Sequence, residues 1–91
     1  MKHITDPRTT ILEQLDISID FFSNQNRHVD LLKVIITVVE HDNREVLLVR
    51  EMGTANMRVF SMPTNGDSIS RTGRYIVDWI DIQQNGQDIP F

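Results

Sequence analysis

The apolar stretch from Asp30 to Met52, DLLKVIITVVEHDNREVLLVREM, constrains the fold more than any other part of the chain. Its first half, from Val34 to Val39, consists of Val, Ile and Thr, which is the composition of a β-strand. Polar residues from His41 to Arg44 separate this run from a second apolar one. The pattern predicts an antiparallel β-hairpin with a four-residue loop, in which Glu40 pairs with Glu45.

The predicted hairpin has apolar residues on both faces, whereas a domain of this kind usually covers only one. One face is wholly apolar and is the expected core face, formed by Leu32, Val34, Ile36, Val38, Leu47 and Val49. The other face carries five aliphatic residues: Leu31, Ile35, Val39, Val46 and Leu48. Lys33, Thr37 and Arg50 interrupt that set. Such a face is too apolar for ordinary contact with water and too polar for a sealed core.

A third strand is predicted from Met57 to Met62, after a short turn. Pairing Met52 with Met57 places Glu51 opposite Arg58, which is a favourable cross-strand charge pair. The same register places Phe60 beside Val49 and Met62 beside Leu47 on the core face. Charge and hydrophobicity therefore agree on a three-stranded antiparallel meander.

The segment before the hairpin is predicted to form a helix. Asp6 suits the N-cap position and Pro7 the first helical position. One stripe of the helix is apolar and comprises Ile11, Leu12, Leu15, Ile19 and Phe22, while Ile17 and Phe21 fall together on the far side. Residues 15–22 also alternate between apolar and polar, so a strand remains the alternative, and we favour the helix.

The segment after the third strand is likewise open between helix and strand over residues 67–84. A helix beginning at Asp67 aligns Ile69, Thr72, Ile76, Trp79 and Ile80 and ends at Asn85 and Gly86. Against this, Gly73 costs about 1 kcal/mol in a helix interior. The sequence YIVDWIDI is also rich in strand-forming residues. We favour the helix, beginning at Asp67 or only after Gly73.

These elements predict one α+β domain, a three-stranded antiparallel meander with an N-terminal and a C-terminal helix in the order α-β-β-β-α. The domain spans residues 7–86, with a flexible N-terminus at 1–6 and a C-terminal tail at 87–91. The same element order is similar to that of double-stranded-RNA-binding domains. The chain lacks their lysine-rich helix start, and its last helix is acidic around Asp78 and Asp81, so we do not assign it to that family.

Composition narrows the possible function. The chain has 91 residues and no cysteine, which excludes disulfides, thiolate metal sites and cysteine nucleophiles. Its formal net charge of −4 disfavours nucleic acid as a partner. No secretory signal is visible, and the longest nearly apolar run, Val34 to Val39, is too short to span a bilayer. We expect a cytoplasmic protein that does not interact with membranes.

No group of residues has the spacing typical of a catalytic or metal site. The four glycines are spaced singly and match no nucleotide-binding fingerprint. His28 and His41 lie at opposite ends of the predicted first strand, about 40 Å apart at ~3.3 Å per residue, so they cannot share one ion. Asp78 and Asp81 flank Trp79 and are typical of the hydrated side of an amphipathic helix. We expect no enzyme activity, no metal and no cofactor.

The surplus of apolar side chains indicates a protein partner, because two short helices cover one face of a three-stranded sheet and hardly both. The predicted partner-binding residues are Ile17, Phe21, Leu31, Ile35, Val39, Val46, Leu48 and Arg50. The partner would be a second copy, forming a homodimer, or a protein target that favours acidic surfaces. The chain would then act as a small inhibitor, immunity-type or adaptor protein, of the kind that bacterial and phage genomes encode.

A cluster of arginines supports an alternative function. Arg58, Arg71 and Arg74, together with Tyr75, have the chemistry to bind an anion, a nucleotide or a nucleic acid. In the simpler interpretation, Arg58 pairs with Glu51 while the other two arginines are solvated. We therefore rank anion binding below protein binding.

Overall fold

The computed structural model describes residues 10–25 and 29–86. The elements in chain order are helix α1 (Thr10–Ser23), a short 3-10 turn (Leu31–Lys33), strands β1 (Val34–His41), β2 (Arg44–Glu51) and β3 (Met57–Ser61), and helix α2 (Gly66–Asn85). The strands form one antiparallel sheet in the order β1-β2-β3. The predicted α-β-β-β-α meander is confirmed. The predicted N-terminus at 1–6 and tail at 87–91 lie outside the described residues.

The β1–β2 hairpin has the predicted register, with Glu40 opposite Glu45, but a shorter loop. Pairing continues to His41 and Arg44, so only Asp42 and Asn43 remain in the turn. Both have positive φ angles, 53° and 63°, which Asp and Asn adopt more readily than most residues. A two-residue turn of this kind matches the twist of a hairpin, which is why the predicted four-residue loop was wrong.

The predicted register between β2 and β3 was wrong by two residues. Met57 pairs with Arg50 rather than with Met52, and Arg58 lies opposite Val49 rather than Glu51. Because the shift is an even number, every β3 side chain keeps its predicted face. Phe60 therefore still faces the core.

The turn between β2 and β3 explains this register. The carboxylate of Glu51 accepts a hydrogen bond from Asn56 Nδ2 at 3.1 Å, and the Thr54 hydroxyl donates to the Glu51 carbonyl at 3.1 Å. The Glu51 N–H donates to the Asn56 carbonyl at 3.1 Å, which closes the turn. Side chains of the turn occupy the hydrogen-bond acceptors of Glu51, and the predicted charge pair between Glu51 and Arg58 is not formed.

The first segment is a helix, as favoured, and its predicted apolar stripe faces the core. Leu12, Leu15 and Ile19 are buried, and Ile11 and Phe22 pack beside them. The predicted helix start at Asp6 and Pro7 lies outside the residues that the structure describes.

The last segment is also a helix, and it runs without interruption through Gly73. At its start, the Asn65 side chain accepts a hydrogen bond from the Ser68 N–H at 2.9 Å, while Ser68 Oγ accepts one from the Asn65 N–H at 3.0 Å. This reciprocal capping box stabilises a start one residue before the predicted one at Asp67. The helix ends as predicted, with Gly86 N–H donating to the Ile82 carbonyl.

Gly73 is the residue that lets the two helices approach each other. An ideal Cβ built on Gly73 would lie 2.8 Å from Ser18 Cβ, which is closer than two such atoms can pack. The alternative start of α2 after Gly73 was wrong because this close contact offsets the low helix propensity of glycine. Ser18 Oγ is buried at the contact, without a hydrogen-bond partner among the residues that the structure describes.

Both helices cover the same face of the sheet. The buried core combines Leu12, Leu15 and Ile19 of α1, Ile69, Ile76, Val77 and Ile80 of α2, Val34, Ile36, Leu47 and Val49 of the first two strands, and Leu31. Phe60 and Trp79 meet edge to face at 6.4 Å between ring centroids, which closes the core on the β3 side. The opposite face of the sheet contributes no residue to this core.

The 3-10 turn before β1 reverses two predicted positions. Leu31 is 8% exposed and belongs to the core, whereas Leu32 is 75% exposed. The alternation of a strand does not apply here, because Asp30 caps the turn by accepting a hydrogen bond from the Leu32 N–H at 3.0 Å. The Gln84 side chain holds Asp30 through two backbone hydrogen bonds of 2.7 and 3.0 Å, which tie the turn to the end of α2.

Candidate functional site

The face of the sheet away from the helices carries a three-by-three grid of side chains, here called the outer face. The strand pairings define its rows as Ile35–Arg50–Met57, Thr37–Leu48–Val59 and Val39–Val46–Ser61. Six of these nine residues are apolar, and only Arg50 is charged. The outer face is therefore a mainly aliphatic surface of the sheet.

Exposure varies across the outer face. Val46 is only 9% exposed, whereas Met57 and Val59 on the edge strand β3 are 57% and 50% exposed. Ile35, Val39 and Leu48 are partly buried. Around one end of the grid, Ile35, Arg50, Met52 and Met57 line a shallow hollow of about 270 Å³. The surface is most accessible along β3 and at this hollow.

The predicted partner-binding residues lie in three separate places. Ile35, Val39, Val46, Leu48 and Arg50 belong to the outer face, as expected. The placement of Leu31 on that face was wrong, because the 3-10 turn directs its side chain into the core.

Two further predicted residues, Ile17 and Phe21, are exposed but lie on another side of the molecule. In α1 they are about 160° around the helix from Ile19, which points into the core. The core therefore separates them from the outer face. One flat partner cannot contact both surfaces at once.

Two apolar residues of the outer face were missed by the sequence analysis. Met57 and Val59 were assigned only to a strand, and their outward direction was not considered. Alternation along β3 would have revealed it, because Phe60 was already expected to face the core and its neighbours must face away. These two residues are the most exposed apolar side chains of the grid.

The arginine cluster lies in a groove between β3 and α2, here called the β3–α2 groove, with a volume of about 390 Å³. Arg58, Arg71 and Tyr75 all line it, together with Ser61, Ser68 and Thr72. Arg74 does not line the groove but lies over the Tyr75 ring, 5.6 Å from its centroid. The structure thus brings together three of the four residues predicted to bind an anion and places the fourth beside them.

The β3–α2 groove is locally cationic, although the chain is acidic. No Asp or Glu is among the described residues that line it. The guanidinium of Arg58 lies 5.4 Å from the centroid of the Phe60 ring, a cation–π contact that positions the charge at the groove. Four hydroxyl groups and two guanidinium groups give it the chemistry of an anion site.

Other candidate groups do not form a site. His41 contacts Asp42 at 3.2 Å on the exposed hairpin turn, and His3 and His28 lie outside the described residues. Asp81 accepts a hydrogen bond from Asn85 Nδ2 at 2.8 Å, which gives it a structural role within α2. Over residues 10–25 and 29–86, no three His, Cys, Asp or Glu side chains are grouped as metal ligands would be.

In the same ranges, neither helix is both long and apolar enough to cross a lipid bilayer. No protein-family model, no curated protein and no solved structure matches the chain. Any proposal for the function of this chain must therefore be argued from the two surfaces described above, the outer face and the β3–α2 groove.

Proposed function

We propose that this chain is a small protein-binding module that contacts its partner through the outer face of the sheet. The observation that carries the proposal is the grid of six aliphatic side chains that neither helix covers. Contiguous apolar surface on a small domain commonly marks an interaction site, because removing it from water is favourable.

The size and shape of the outer face suit the centre of an interface. Strand spacing and residue rise give the grid dimensions of about 14 Å by about 20 Å. A specific complex buries about 800 Å² on each partner, so neighbouring polar residues must supply a rim. The flat and mainly aliphatic grid would be the apolar centre, and the net charge of −4 would favour a basic target.

The proposal assigns a role in binding and no catalytic step. A module of this type acts as an inhibitor, an immunity-type protein or an adaptor, because binding alone is sufficient for each of these roles. A second copy of the chain is the simplest partner, since a twofold axis parallel to β2 and centred over the grid would pair each row with itself. We place this activity in the cytoplasm, which the absence of cysteine suits.

Replacing Leu48 or Val59 with aspartate is expected to weaken association by at least about tenfold. A carboxylate buried at the apolar centre loses its hydration without gaining a partner, a penalty of more than ~1.4 kcal/mol. The measurement is light scattering over a concentration series for self-association, and comparative capture from the native host for another protein. Ile17→Asp is the matched control, because Ile17 is more exposed and lies on another surface.

The expected pattern is at least about tenfold weaker association with Leu48→Asp and Val59→Asp, unchanged association with Ile17→Asp, and unchanged circular dichroism for all three. Equal loss in all three variants would show that the outer face is not the binding surface. Unfolding of Val59→Asp would also contradict the proposal, because a residue half exposed in the folded chain should accept a carboxylate.

A second candidate function is anion binding in the β3–α2 groove, favoured by the convergence of Arg58, Arg71 and Tyr75. It predicts retention on heparin that falls steeply as salt rises. Arg71→Gln should elute at lower salt, whereas Lys33→Gln, which removes a charge away from the groove, should elute closer to the wild-type protein. Retention that both substitutions reduce equally would assign the effect to overall charge.

A further inference from the structure

The outer edge of β3 carries backbone groups that no strand satisfies in the described part of the chain. The Glu51 N–H bonds to the Asn56 carbonyl, and hydrogen-bonded pairs recur at every second residue of an antiparallel ladder. Arg58 and Phe60 therefore direct their N–H and C=O groups toward β2. The N–H and C=O groups of Met57, Val59 and Ser61 point away from the sheet.

The β3–α2 groove runs along this open edge. Residues from both faces of β3 line it, Arg58 and Phe60 from the core side and Val59 and Ser61 from the outer side. Side chains of opposite faces can line one groove only if it follows the edge of the strand. An extended chain in the groove would thus lie alongside β3.

We propose that the edge of β3 accepts an extended acidic segment of a partner protein as a fourth strand of the sheet. The inference rests on the proposed protein-binding function and adds the local chemistry of the one partner segment that meets this groove, which is independent of the partner's net charge. Backbone hydrogen bonds to Val59 and Ser61 supply the pairing, as in other cases of strand addition. Arg58 and Arg71 supply the preference for acidic residues, because no described residue lining the groove carries a negative charge.

The two sides of the edge predict an alternating sequence in the added strand. Side chains directed toward α2 meet Arg58 and Arg71, so acidic residues fit there. Side chains directed the other way lie beside Met57 and Val59 and would extend the outer face, so aliphatic residues fit there. A polynucleotide fits less well, because its backbone cannot reproduce the alternation of donors and acceptors along β3.

The test uses an end-blocked octapeptide of alternating glutamate and valine as the probe, at about 0.15 M salt. Amide NMR spectra and hydrogen exchange are recorded on the full chain. We expect saturable binding, with new exchange protection at the amides of Val59 and Ser61. A lysine–valine octapeptide, a thymidine decanucleotide and inorganic phosphate are the comparison probes, and each should bind at least about tenfold more weakly.

Substitutions separate the contribution of charge to peptide binding from that of backbone hydrogen bonds. Arg71→Gln should weaken glutamate–valine binding by about fivefold, as expected for one solvent-accessible ion pair, while Lys33→Gln should change it less than twofold. Val59→Pro removes an edge donor without removing a ladder bond to β2, so it should retain the fold and abolish binding. If Val59→Pro does not fold, the exchange protection of the wild-type amides decides the question.

Several results would overturn the inference. These are no binding of the glutamate–valine peptide at millimolar concentration, binding without protection at Val59 and Ser61, or equal binding of the lysine–valine peptide. Preferential binding of the oligonucleotide would assign the groove to nucleic acid instead. Leu48→Asp distinguishes the two proposals, because it disrupts the outer face and should leave peptide binding at the edge unchanged.

Discussion

Gly73→Val is expected to destabilise the fold by about 3 kcal/mol or more, a large part of the roughly 5–13 kcal/mol expected for a chain of this length. The contact with Ser18 has no room for a side chain. Even the first carbon would lie 2.8 Å from Ser18 Cβ and 3.4 Å from the Ser18 carbonyl carbon. The two helices must separate, and the core between them and the sheet loses its packing. Urea denaturation measures the effect.

The smaller substitution Gly73→Ala gives the sharper test, because the direction of its effect on stability distinguishes a tight helix contact from an ordinary helical glycine. Alanine raises helix propensity by about 1 kcal/mol at an ordinary helical glycine, whereas the clash here outweighs that gain. We expect a net loss of about 1–2 kcal/mol. Gly66→Ala is the matched control, since nothing lies within 4 Å of a Cβ at that position of the same helix. It should leave stability unchanged or raise it slightly.

A double-mutant cycle identifies the contact itself. Ser18→Gly removes the two side-chain atoms, Cβ and Oγ, that lie closest to the new Cβ, so Gly73→Ala should be less harmful in that background by about 1 kcal/mol or more. Additive effects of the two substitutions would contradict the close crossing of the helices. A stabilising Gly73→Ala would contradict it as well.

The regular part of the sheet could be predicted from the sequence because alternation along two strands fixes their relative position. In the β1–β2 hairpin a shift of one residue would expose the whole core face, so the pairing of Glu40 with Glu45 follows from hydrophobicity alone. In the β2–β3 pair a shift of two residues leaves every face unchanged. The choice between these two registers depended on hydrogen bonds that Thr54 and Asn56 make within the turn. Residue patterns do not reveal such bonds.

The other differences have a common physical origin in contacts between distant parts of the chain. The low helix propensity of Gly73 is a local property that the sequence shows. The reason a glycine is needed there is the close contact with Ser18, which lies far away in sequence. Leu31 was misassigned because strand alternation was extended into a 3-10 turn that Asp30 caps. Each error occurred where a tertiary contact or a cap replaces the regular pattern.

Most residues of each candidate surface could be predicted from the sequence, but the positions of the surfaces relative to one another could not. Five aliphatic or charged residues of the outer face and the three groove residues follow from alternation and composition. The sequence gives no direct measure of which apolar surfaces lie side by side. Ile17 and Phe21 were therefore grouped with the outer face, although the core separates them from it. That separation has a direct consequence for stability.

Ile19→Ala is expected to lower the free energy of unfolding by about 3–4 kcal/mol, whereas Ile17→Ala should change it by less than ~0.5 kcal/mol. The two isoleucines are two residues apart in α1, and Ile19 is 0% exposed while Ile17 is 68% exposed. Truncation of Ile19 leaves a cavity in the core, and truncation of Ile17 removes only surface. For a domain of this size, Ile19→Ala should lower the melting temperature by about 15–25 °C.

This pair tests the orientation of α1 because a helix and a strand predict different outcomes. Residues two apart lie on the same face of a strand and on nearly opposite faces of a helix. Similar losses from Ile17→Ala and Ile19→Ala would place both side chains in the core, and the separation of Ile17 from the outer face would then be wrong. A large loss from Ile19→Ala alone would support a helix that buries one side and leaves Ile17 and Phe21 exposed.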